Sequence, residues 1–477
     1  MHLDWLLERF SRYGGVPALV AQDCEVTYTE LLALIGQWRA RLADDRIEAG
    51  DVIAIEGDIS DQSVALLLAL IDHGCTVLPL SPSAAGSRDE SFRIAQAASS
   101  YSFSGESLQH LRYQRQATNP LLLELRRRKH PGLILFSSGS TGEHKGALHD
   151  LLPMLKKYEM RRRTYRTLCL MQFDHIGGFN TLLYTLANGG CLIPAKQRSP
   201  QNVCSLIERH KAELLPTTPT FLDLLLLSGC DAEYDLSSLK LITYGTEVAR
   251  ESTLKKIRER IPHAQILQTY GLTEVGILRS KSREDGSLWI KVGGEGYETK
   301  IIDNTLWIRA NSAMLGYLNA ESPFDGNGWM NTHDKVEIDG EWIRILGRTT
   351  DIINVGGEKV YPAEVENILL QIENIRDAEV FGKPNRLLGN IVAARVLLHH
   401  PEEMGPLKQR VWAYCRERVS RYKIPTDLEI VSRLSVSPRQ KKLRGIHANP
   451  RPVEADGVQA GNPGGAVHGA SFNQGDD

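Results

Sequence analysis

The stretch Ser137-Ser138-Gly139-Ser140-Thr141-Gly142-Glu143-His144-Lys145-Gly146 follows the apolar run Leu133-Ile134-Leu135-Phe136, which predicts a buried strand. Glycines let the backbone turn tightly and aim N–H groups at phosphate oxygens. The hydroxyl groups add donors, and Lys145 supplies a positive charge. The spacing differs from that of the Walker loop, which needs G-x-x-x-x-G-K-[ST]. The stretch therefore predicts a phosphate-binding loop of another kind, with a flexible linker as the alternative.

The composition predicts a globular protein of two or three domains. The chain has 477 residues, 42% hydrophobic and 24% charged, with a formal net charge of -2. This charge gives no general attraction to nucleic acid or anionic membrane. The seven cysteines form no C-x-x-C pair, which argues against a zinc site or a disulfide framework and fits a reducing compartment.

The apolar segments are short. The longest run, 64–71, is far below the roughly 20 residues of a membrane-spanning helix. The N-terminus mixes acids and bases in its first ten residues and lacks the pattern of a signal peptide. We therefore expect a cytoplasmic protein with no membrane span and no nucleic-acid partner.

The chain shows two kinds of sequence pattern, one before and one after about Asp285. Amphipathic helices followed by glycine and a β-branched run recur at 62–78 and 180–193, as in parallel α/β sheets. After about Asp285, short strands and Gly-rich turns predict a small barrel or an antiparallel extension. From Gly347 to about His447 we expect a separate small domain, in which 362–369 has the early proline and acids of a helix start.

The phosphate-binding stretch resembles the signature loop of the adenylate-forming superfamily, which includes acyl-CoA synthetases, peptide-synthetase adenylation domains and beetle luciferases. A second motif, Gln268-Thr269-Tyr270-Gly271-Leu272-Thr273-Glu274, is similar to the family's Y-G-x-T-E element. The resemblance implies that the tyrosine or its neighbours frame adenine, that Thr273 contacts phosphate and that Glu274 holds Mg²⁺. A hard oxygen ligand beside nucleotide phosphates suits Mg²⁺.

Two further motifs follow. The stretch 328–334, Gly-Trp-Met-Asn-Thr-His-Asp, resembles G-W-x-x-T-G-D, which implies that Asp334 binds both ribose hydroxyls. His333 replaces the usual glycine, which puts the ribose geometry in question because histidine adopts a positive φ only at some cost. The stretch 346–362 resembles the family's hinge region, which implies that Arg348 binds ribose and that the hinge lies at 349–351, including Thr350 and Asp351.

A basic segment near the end resembles the family's lysine motif. It comprises 434–444, with Gln440 in place of the usual glycine. Counting without a gap places Lys441 at the catalytic position, with Lys442 as the alternative and a solvated basic turn as the other interpretation. A cation here would bridge the attacking carboxylate and the α-phosphate.

The acyl pocket is expected between these motifs. The segment 171–180 resembles the one whose histidine or aromatic residue gates the pocket, so His175 is the candidate gate, and a core histidine is the alternative. Phe173-Asp174 also resembles the pair that anchors an amino-acid substrate, but aligning His175 displaces Asp174 by one position. We therefore favour an acid without an α-amino group. The predicted pocket residues are His175, Phe179, Thr220, Tyr244, Val275 and Gly276.

The resemblance implies an α/β fold with a large N-terminal domain of two α/β sheets plus a small β-barrel, and a small mobile α+β C-terminal domain. The expected segments are 1–348 for the AMP-binding domain, 349–351 for the hinge, 352–448 for the mobile domain and 449–477 for a disordered tail. The implied catalytic residues are Lys441, Thr273, Glu274 and Lys145. The implied ATP and AMP ligands are Ser137, Ser138, Gly139, Ser140, Thr141, Gly142, Gly245, Thr246, Glu247, Thr269, Tyr270, Gly271, Asp334 and Arg348.

The implied reaction is the ATP- and Mg²⁺-dependent activation of a carboxylic acid to an acyl-adenylate with release of pyrophosphate. Transfer to coenzyme A would follow, within a biosynthetic pathway. A carrier-protein phosphopantetheine and an amine are alternative acceptors. A non-catalytic nucleotide-binding protein is the alternative from another class, motivated by His333 and Gln440. The sequence leaves the acid and the oligomeric state open.

Overall fold

The structure is a computed structural model. It describes residues 2–21, 23–82, 87–105, 107–113, 117–138 and 144–434. The predictions for Gly139, Ser140, Thr141, Gly142, Lys441, Lys442 and the tail 449–477 lie outside the described residues. Strands and helices are numbered along the chain.

The first sheet has seven strands and is parallel except at one edge. Its spatial order is β13 (Gln265–Gln268), β12 (Leu241–Tyr244), β11 (Leu214–Thr217), β9 (Arg166–Cys169), β10 (Cys191–Pro194), β1 (Pro17–Ala21) and β2 (Cys24–Thr27). The helices of this part are α1 (Asp4–Tyr13), α2 (Tyr28–Asp44), α7 (Ile176–Ala187), α8 (Pro200–His210), α9 (Pro219–Ser228) and α10 (Glu251–Arg260).

The second sheet also has seven strands, with a parallel centre and antiparallel edges. Its spatial order is β19 (Gly316–Tyr317), β8 (His144–Asp150), β7 (Gly132–Ser138), β4 (Thr76–Leu80), β3 (Val52–Glu56), β5 (Ser99–Ser104) and β6 (Ser107–Arg112). Its helices are α3 (Asp61–His73), α4 (Arg88–Ala95), α5 (Pro120–Arg128) and α6 (Leu151–Glu159).

One hydrophobic core joins the two sheets through α2, α3, α6 and α7. Helix α3 is apolar on all sides, and every residue from 63 to 72 is buried. A helix of this kind belongs in the interior, where each large aliphatic side chain contributes about 1.5–3 kcal/mol. The predicted alternation is confirmed here, since α3 leads into β4 and α7 leads into β10.

The third sheet is antiparallel and has a core of its own. Its spatial order is β14 (Tyr270–Leu272), β15 (Gly276–Ser282), β16 (Trp289–Gly293), β21 (Trp342–Arg348), β20 (Met330–Asp339), β18 (Thr305–Ala310) and β17 (Tyr297–Ile302). The sheet occupies the region where short strands were predicted. It matters for the site because β20 and β21 place Asp334 opposite Arg348.

A fourth sheet with its own core follows a 3₁₀ turn at Thr349–Asp351. Its strands are β22 (Ile353–Val355), β23 (Glu358–Val360), β24 (Ile375–Asn385), β25 (Gly389–Leu398) and β26 (Asp427–Ile430), and its helices are α11 (Pro362–Leu369) and α12 (Met404–Arg416). Helix α11 confirms the predicted helix at 362–369. The hinge role of 349–351 and the domain boundaries remain predictions.

The C-terminal unit contacts the larger body through a buried ion pair. Arg250, at the start of α10, lies 2.9 Å from Asp377 on β24 and 3.2 Å from Asp223 on α9. Burial alone would lower the pKa of the Arg250 guanidinium, but the two carboxylates outweigh it and raise this pKa. Arg376 adds a hydrogen bond of 3.0 Å to the carbonyl of Leu227. These contacts define one docked arrangement of the two units.

Two expectations from the sequence concern membrane-spanning helices and cysteines. Within the described ranges, every helix is too short or too polar to cross a bilayer. All seven cysteines are free thiols, and six of them are buried.

Candidate active site

Strands β7 and β8 form the phosphate hairpin, whose connecting residues 139–143 lie outside the described residues. The antiparallel register pairs Ser137 with Lys145. The side chain of Asn319 accepts a hydrogen bond from Gly146 N at 3.0 Å and donates one to His144 O at 2.8 Å. Asn319 therefore holds the base of the hairpin, although no motif in the sequence pointed to it.

Tyr317 connects the phosphate hairpin with the predicted magnesium ligand. Its ring lies 5.6 Å from Lys145 Nζ, and its hydroxyl donates a hydrogen bond of 2.5 Å to Glu274 Oε1. Burial and the neighbouring Glu274 raise the pKa of Tyr317, so the phenol keeps the proton that it donates. Lys145 and Glu274, which are far apart in sequence, thus share one aromatic neighbour.

The remaining oxygen of Glu274 suits a cation. Among the described residues, Glu274 Oε2 makes no hydrogen bond or ion pair, while Oε1 accepts from Tyr317. Met314 N donates to the Glu274 carbonyl at 2.8 Å, which fixes the turn between β14 and β15. Mg²⁺ is commonly held by one or two carboxylates together with substrate phosphates. The donor set fits this ion only together with a nucleotide, since the described residues contain no cluster of three acidic, His or Cys ligands.

A second group of residues surrounds Asp334, and we call it the Asp334 cluster: Tyr270, Asp334 and Arg348. The Tyr270 hydroxyl donates to Asp334 Oδ2 at 2.5 Å, and Arg348 Nε lies 3.4 Å from Asp334 Oδ1. Burial raises the pKa of Asp334, and the charge of Arg348 opposes that shift. Three predicted nucleotide ligands thereby meet at one buried carboxylate.

Arg348 contacts Asp334 and interacts electrostatically with Glu274. Burial alone would lower the pKa of its guanidinium, but interaction first with Asp334 and then with Glu274 raises this pKa. The antiparallel register of β20 and β21 places Arg348 directly opposite Asp334. Arg348 therefore interacts with both Asp334, the predicted ribose ligand, and Glu274, the predicted magnesium ligand.

His333 adopts the left-handed backbone of the glycine that it replaces. Its φ is +60°, its side chain is exposed, and its N–H donates to Asn331 Oδ1 at 2.8 Å. The following residue, Asp334, still reaches Tyr270 and Arg348. The departure at His333 therefore leaves the predicted ribose carboxylate in contact with its neighbours.

Substitutions at His333 separate backbone strain from side-chain chemistry. We expect His333→Gly to leave the free energy of unfolding within about 1 kcal/mol of the wild type, because glycine accepts this φ but gains freedom in the unfolded chain. We expect His333→Val to lower it by about 1–2 kcal/mol, because a β-branched side chain resists positive φ. Urea denaturation measures both, with Glu337→Val on the same strand as the control. Equal effects of valine at the two positions would contradict this account.

The predicted nucleotide ligands Gly245, Thr246 and Thr269 lie at the carboxyl ends of β12 and β13. A Cβ on Gly245 would lie 2.7 Å from Thr269 Oγ1 and 2.8 Å from Thr269 O, so this close approach requires glycine. Thr246 has a φ of +73°. Ligands in open α/β sheets bind at this edge of the strands. The nucleotide predictions therefore fall where such a fold places its ligands.

The predicted pocket residues come from several elements. His175 caps α7, and its Nδ1 accepts from Gly177 N at 3.1 Å, which puts the proton of the neutral ring on Nε2. Thr220 donates to Glu247 through its hydroxyl at 2.6 Å. Phe179, Tyr244 and Val275 are buried, and Gly276 has a φ of +84°. Phe179 belongs to the main core as well as to the predicted pocket.

Asp174 is engaged within the protein. Its Oδ2 accepts from Ser81 N at 3.1 Å and from Ser81 Oγ at 2.6 Å. Ser81 directly follows β4, so this contact links the two parallel sheets. A carboxylate with these two donors stabilises the fold, in line with our preference for an acid without an α-amino group.

The fold and these clusters define the class of an adenylate-forming enzyme. The chain belongs to the AMP-binding enzyme family, whose sequence model matches residues 6–318. A model of the AMP-binding enzyme C-terminal domain matches residues 364–441. The suspected family and the predicted fold class are confirmed.

Three known proteins illustrate the similarity. The chain is 30% identical over 316 residues to a 3-[(3aS,4S,7aS)-7a-methyl-1,5-dioxo-octahydro-1H-inden-4-yl]propanoyl:CoA ligase of Mycobacterium tuberculosis (strain ATCC 25618 / H37Rv), an alignment that spans 62% of either sequence and so less than two thirds of that relative. It is 25% identical to the 2-succinylbenzoate–CoA ligase of Bacillus subtilis (strain 168), over 92% of this chain and 96% of that one. The structure of the anthranilate CoA ligase AuaEII with anthranoyl-AMP has the same fold, with a TM-score of 0.76 at 21% identity over 92% of this chain and 94% of that one.

Proposed function

We propose that this chain activates a carboxylic acid with ATP, releases pyrophosphate and transfers the acyl group from the adenylate to coenzyme A. The observation that carries the proposal is the position of Arg348, which contacts Asp334 and interacts electrostatically with Glu274. One cation thus interacts with both the predicted ribose ligand and the predicted phosphate-side ligand. The names of the two relatives, both coenzyme A ligases, support the same reaction.

In the first half-reaction, an oxygen of the substrate carboxylate attacks the α-phosphorus, and the bond from this phosphorus to the pyrophosphate oxygen breaks. Asp334 accepts hydrogen bonds from the ribose, with its carboxylate oriented by Tyr270. Lys145 and Thr273 bind phosphate oxygens, and Lys441 stabilises the charge that develops at the α-phosphate. Mg²⁺ bound at Glu274 would neutralise phosphate charge.

In the second half-reaction, the thiol of coenzyme A releases its proton to solvent and its sulfur attacks the acyl carbonyl carbon. The bond from this carbon to the phosphate oxygen breaks, and AMP leaves. The C-terminal unit turns about 349–351, which withdraws Lys441. The β22–β23 hairpin, with Gly356 and Gly357 at its turn, then reaches the site. A carrier-protein phosphopantetheine or an amine remains the alternative acceptor. We place this reaction in a biosynthetic pathway in the cytoplasm.

The test is pyrophosphate release from ATP and Mg²⁺ across a panel of aliphatic, aryl and amino acids, with and without coenzyme A. We expect acid-dependent release that coenzyme A accelerates. In Lys441→Ala this release should fall by about 100-fold or more, because a cation at the developing charge is lost. A parallel Lys442→Ala variant decides which of the adjacent lysines acts.

Each result has a distinct meaning. Release that does not respond to coenzyme A favours a carrier protein or an amine as acceptor. No release with any acid, together with retained ATP binding, contradicts the proposed function and favours the non-catalytic alternative that Gln440 and His333 raised.

A further inference from the structure

Lys157 on α6 is partly buried, and its ammonium group lies away from every carboxylate that the structure describes. Burial lowers the pKa of its ammonium group to about 7. Its Nζ donates to Asn180 Oδ1 at 2.7 Å and to Ile277 O at 3.5 Å. In the described part of the chain, Lys157 forms no ion pair with an acidic residue. A cationic group in this position has only neutral acceptors around it.

A purely structural role explains Lys157 poorly. Burying an ammonium group without a counter-charge is costly, and an apolar side chain would join α6 to α7 at lower cost. The Asn180 amide oxygen that binds Lys157 also accepts from the Tyr158 hydroxyl at 3.0 Å, so it is shared between two donors. Perturbed ionisable groups of this kind are characteristic of functional sites.

Two further polar side chains, Tyr297 and Ser312, lie close to the same carbonyl of Ile277. The Tyr297 hydroxyl donates to Ile277 O at 3.3 Å, and Ser312 Oγ donates to Tyr297 Oη at 3.1 Å. Lys157 and Tyr297 therefore meet at the same carbonyl. We call Lys157, Asn180, Tyr297 and Ser312 the distal polar cluster.

The distal polar cluster borders the predicted acyl pocket. A Cβ on Gly276 would lie 3.5 Å from Tyr297 Oη and 4.0 Å from Ser312 Oγ, so the predicted pocket wall at Gly276 adjoins these hydroxyls. The carbonyl of Val275, 3.3 Å from Ser312 Oγ, is the alternative acceptor for the single proton of this hydroxyl. On the opposite side, Asn180 follows the predicted pocket residue Phe179 in α7.

The helix sets the spacing between the cluster and the gate. His175 caps α7, and Asn180 lies five residues further along the chain. At 1.5 Å per residue, this separation is about 7.5 Å along the helix axis. Along the axis of α7, the gate and the cluster are therefore about this far apart.

We propose that the distal polar cluster binds a second carboxylate of the substrate, so that the enzyme activates one end of a dicarboxylic acid while Lys157 holds the other. This inference rests on the proposed function and adds the class of acid. Lys157 supplies the charge, and the hydroxyls of Tyr297 and Ser312 are further donors that can turn toward the bound oxygens. A charge-assisted hydrogen bond in a dry site discriminates strongly against an analogue that lacks the acceptor.

The test compares acids that differ only in the second carboxylate. Suitable pairs are suberate with octanoate and 2-succinylbenzoate with 3-benzoylpropanoate, assayed by pyrophosphate release. We expect the wild type to prefer the diacid in at least one pair. We expect Lys157→Met to reduce kcat/KM for that diacid by about 10- to 100-fold, mainly through KM, and to leave the monoacid nearly unchanged. Lys156→Met, an exposed neighbour on the same helix, is the matched control.

Two outcomes overturn the inference and leave the proposed function intact. These are equal use of both members of every pair by the wild type, and an equal loss for diacid and monoacid in Lys157→Met, which a purely structural role would give. Thermal denaturation of both variants identifies a loss caused by unfolding.

If no acid supports pyrophosphate release, the proposed function itself fails. Calorimetric titration of the diacids then decides on the cluster alone. A dissociation constant that is the same for the wild type and Lys157→Met overturns the inference. A dissociation constant that is higher in Lys157→Met than in the wild type supports it.

Discussion

Glu274→Gln is expected to reduce acid-dependent pyrophosphate release by about 1,000-fold, while the protein remains folded. Glutamine keeps the shape of the side chain and an acceptor for the Tyr317 hydroxyl, but it removes the negative charge at Oε2. The bound metal would lose its carboxylate, and Arg348 would lose one of the carboxylates that raise its pKa. The measurement is the initial rate of pyrophosphate release at several Mg²⁺ concentrations.

Two companion variants identify the cause of this loss. Tyr317→Phe removes only the 2.5 Å hydrogen bond to Glu274, and we expect a loss of about 10-fold that higher Mg²⁺ partly restores. Glu321→Gln, at an exposed position a few residues along the chain, should behave as the wild type. A Glu274→Gln enzyme with an unchanged rate and Mg²⁺ dependence would show that the metal ligand lies elsewhere.

Asp334→Ala is expected to affect both nucleotide binding and stability. We expect KM for ATP to rise by about 100-fold, since the proposed ribose acceptor is absent. We also expect the free energy of unfolding to fall by about 1–2 kcal/mol, because the buried Tyr270 hydroxyl loses its acceptor, whereas the half-exposed Arg348 stays solvated. ATP kinetics and urea denaturation measure the two effects.

The same strand supplies a control for Asp334. Asp339 lies at the exposed end of β20 and pairs with Arg283 at the surface. Surface ion pairs contribute little, so Asp339→Ala should change the free energy of unfolding by less than about 1 kcal/mol. If Asp334→Ala loses stability but keeps its KM for ATP, the carboxylate has a structural role only.

Much of the architecture could be predicted because its signals are local. The apolar run of α3 and its closing glycine define a buried helix before β4, and Pro362 marks the start of α11. The motifs carrying Lys145, Glu274 and Asp334 are also continuous in sequence. What these motifs do not give is distance, since the contact between Asp334 and Arg348 depends on the register of two strands.

The residues that sequence reasoning missed act through tertiary contacts. Tyr317 ends a two-residue strand and Asn319 follows two residues later, and nothing near them in sequence indicates that they contact the phosphate hairpin. Lys157 lies beside the apolar stripe of α6, where helical periodicity alone predicts a solvated lysine. It is buried because α7 and β15 pack over it, and no local pattern carries that information.

The ion pair between Arg250 and Asp377 has a consequence for the proposed rotation of the C-terminal unit. Leaving the docked arrangement separates Arg250 from Asp377 and breaks the hydrogen bond from Arg376 to the carbonyl of Leu227, while Arg250 keeps Asp223 as a partner. Partly turned arrangements would have lost the ion pair before gaining anything in return. We therefore expect the unit to populate two positions, with only short-lived arrangements between them. The residence time in the docked position should depend on these few side chains.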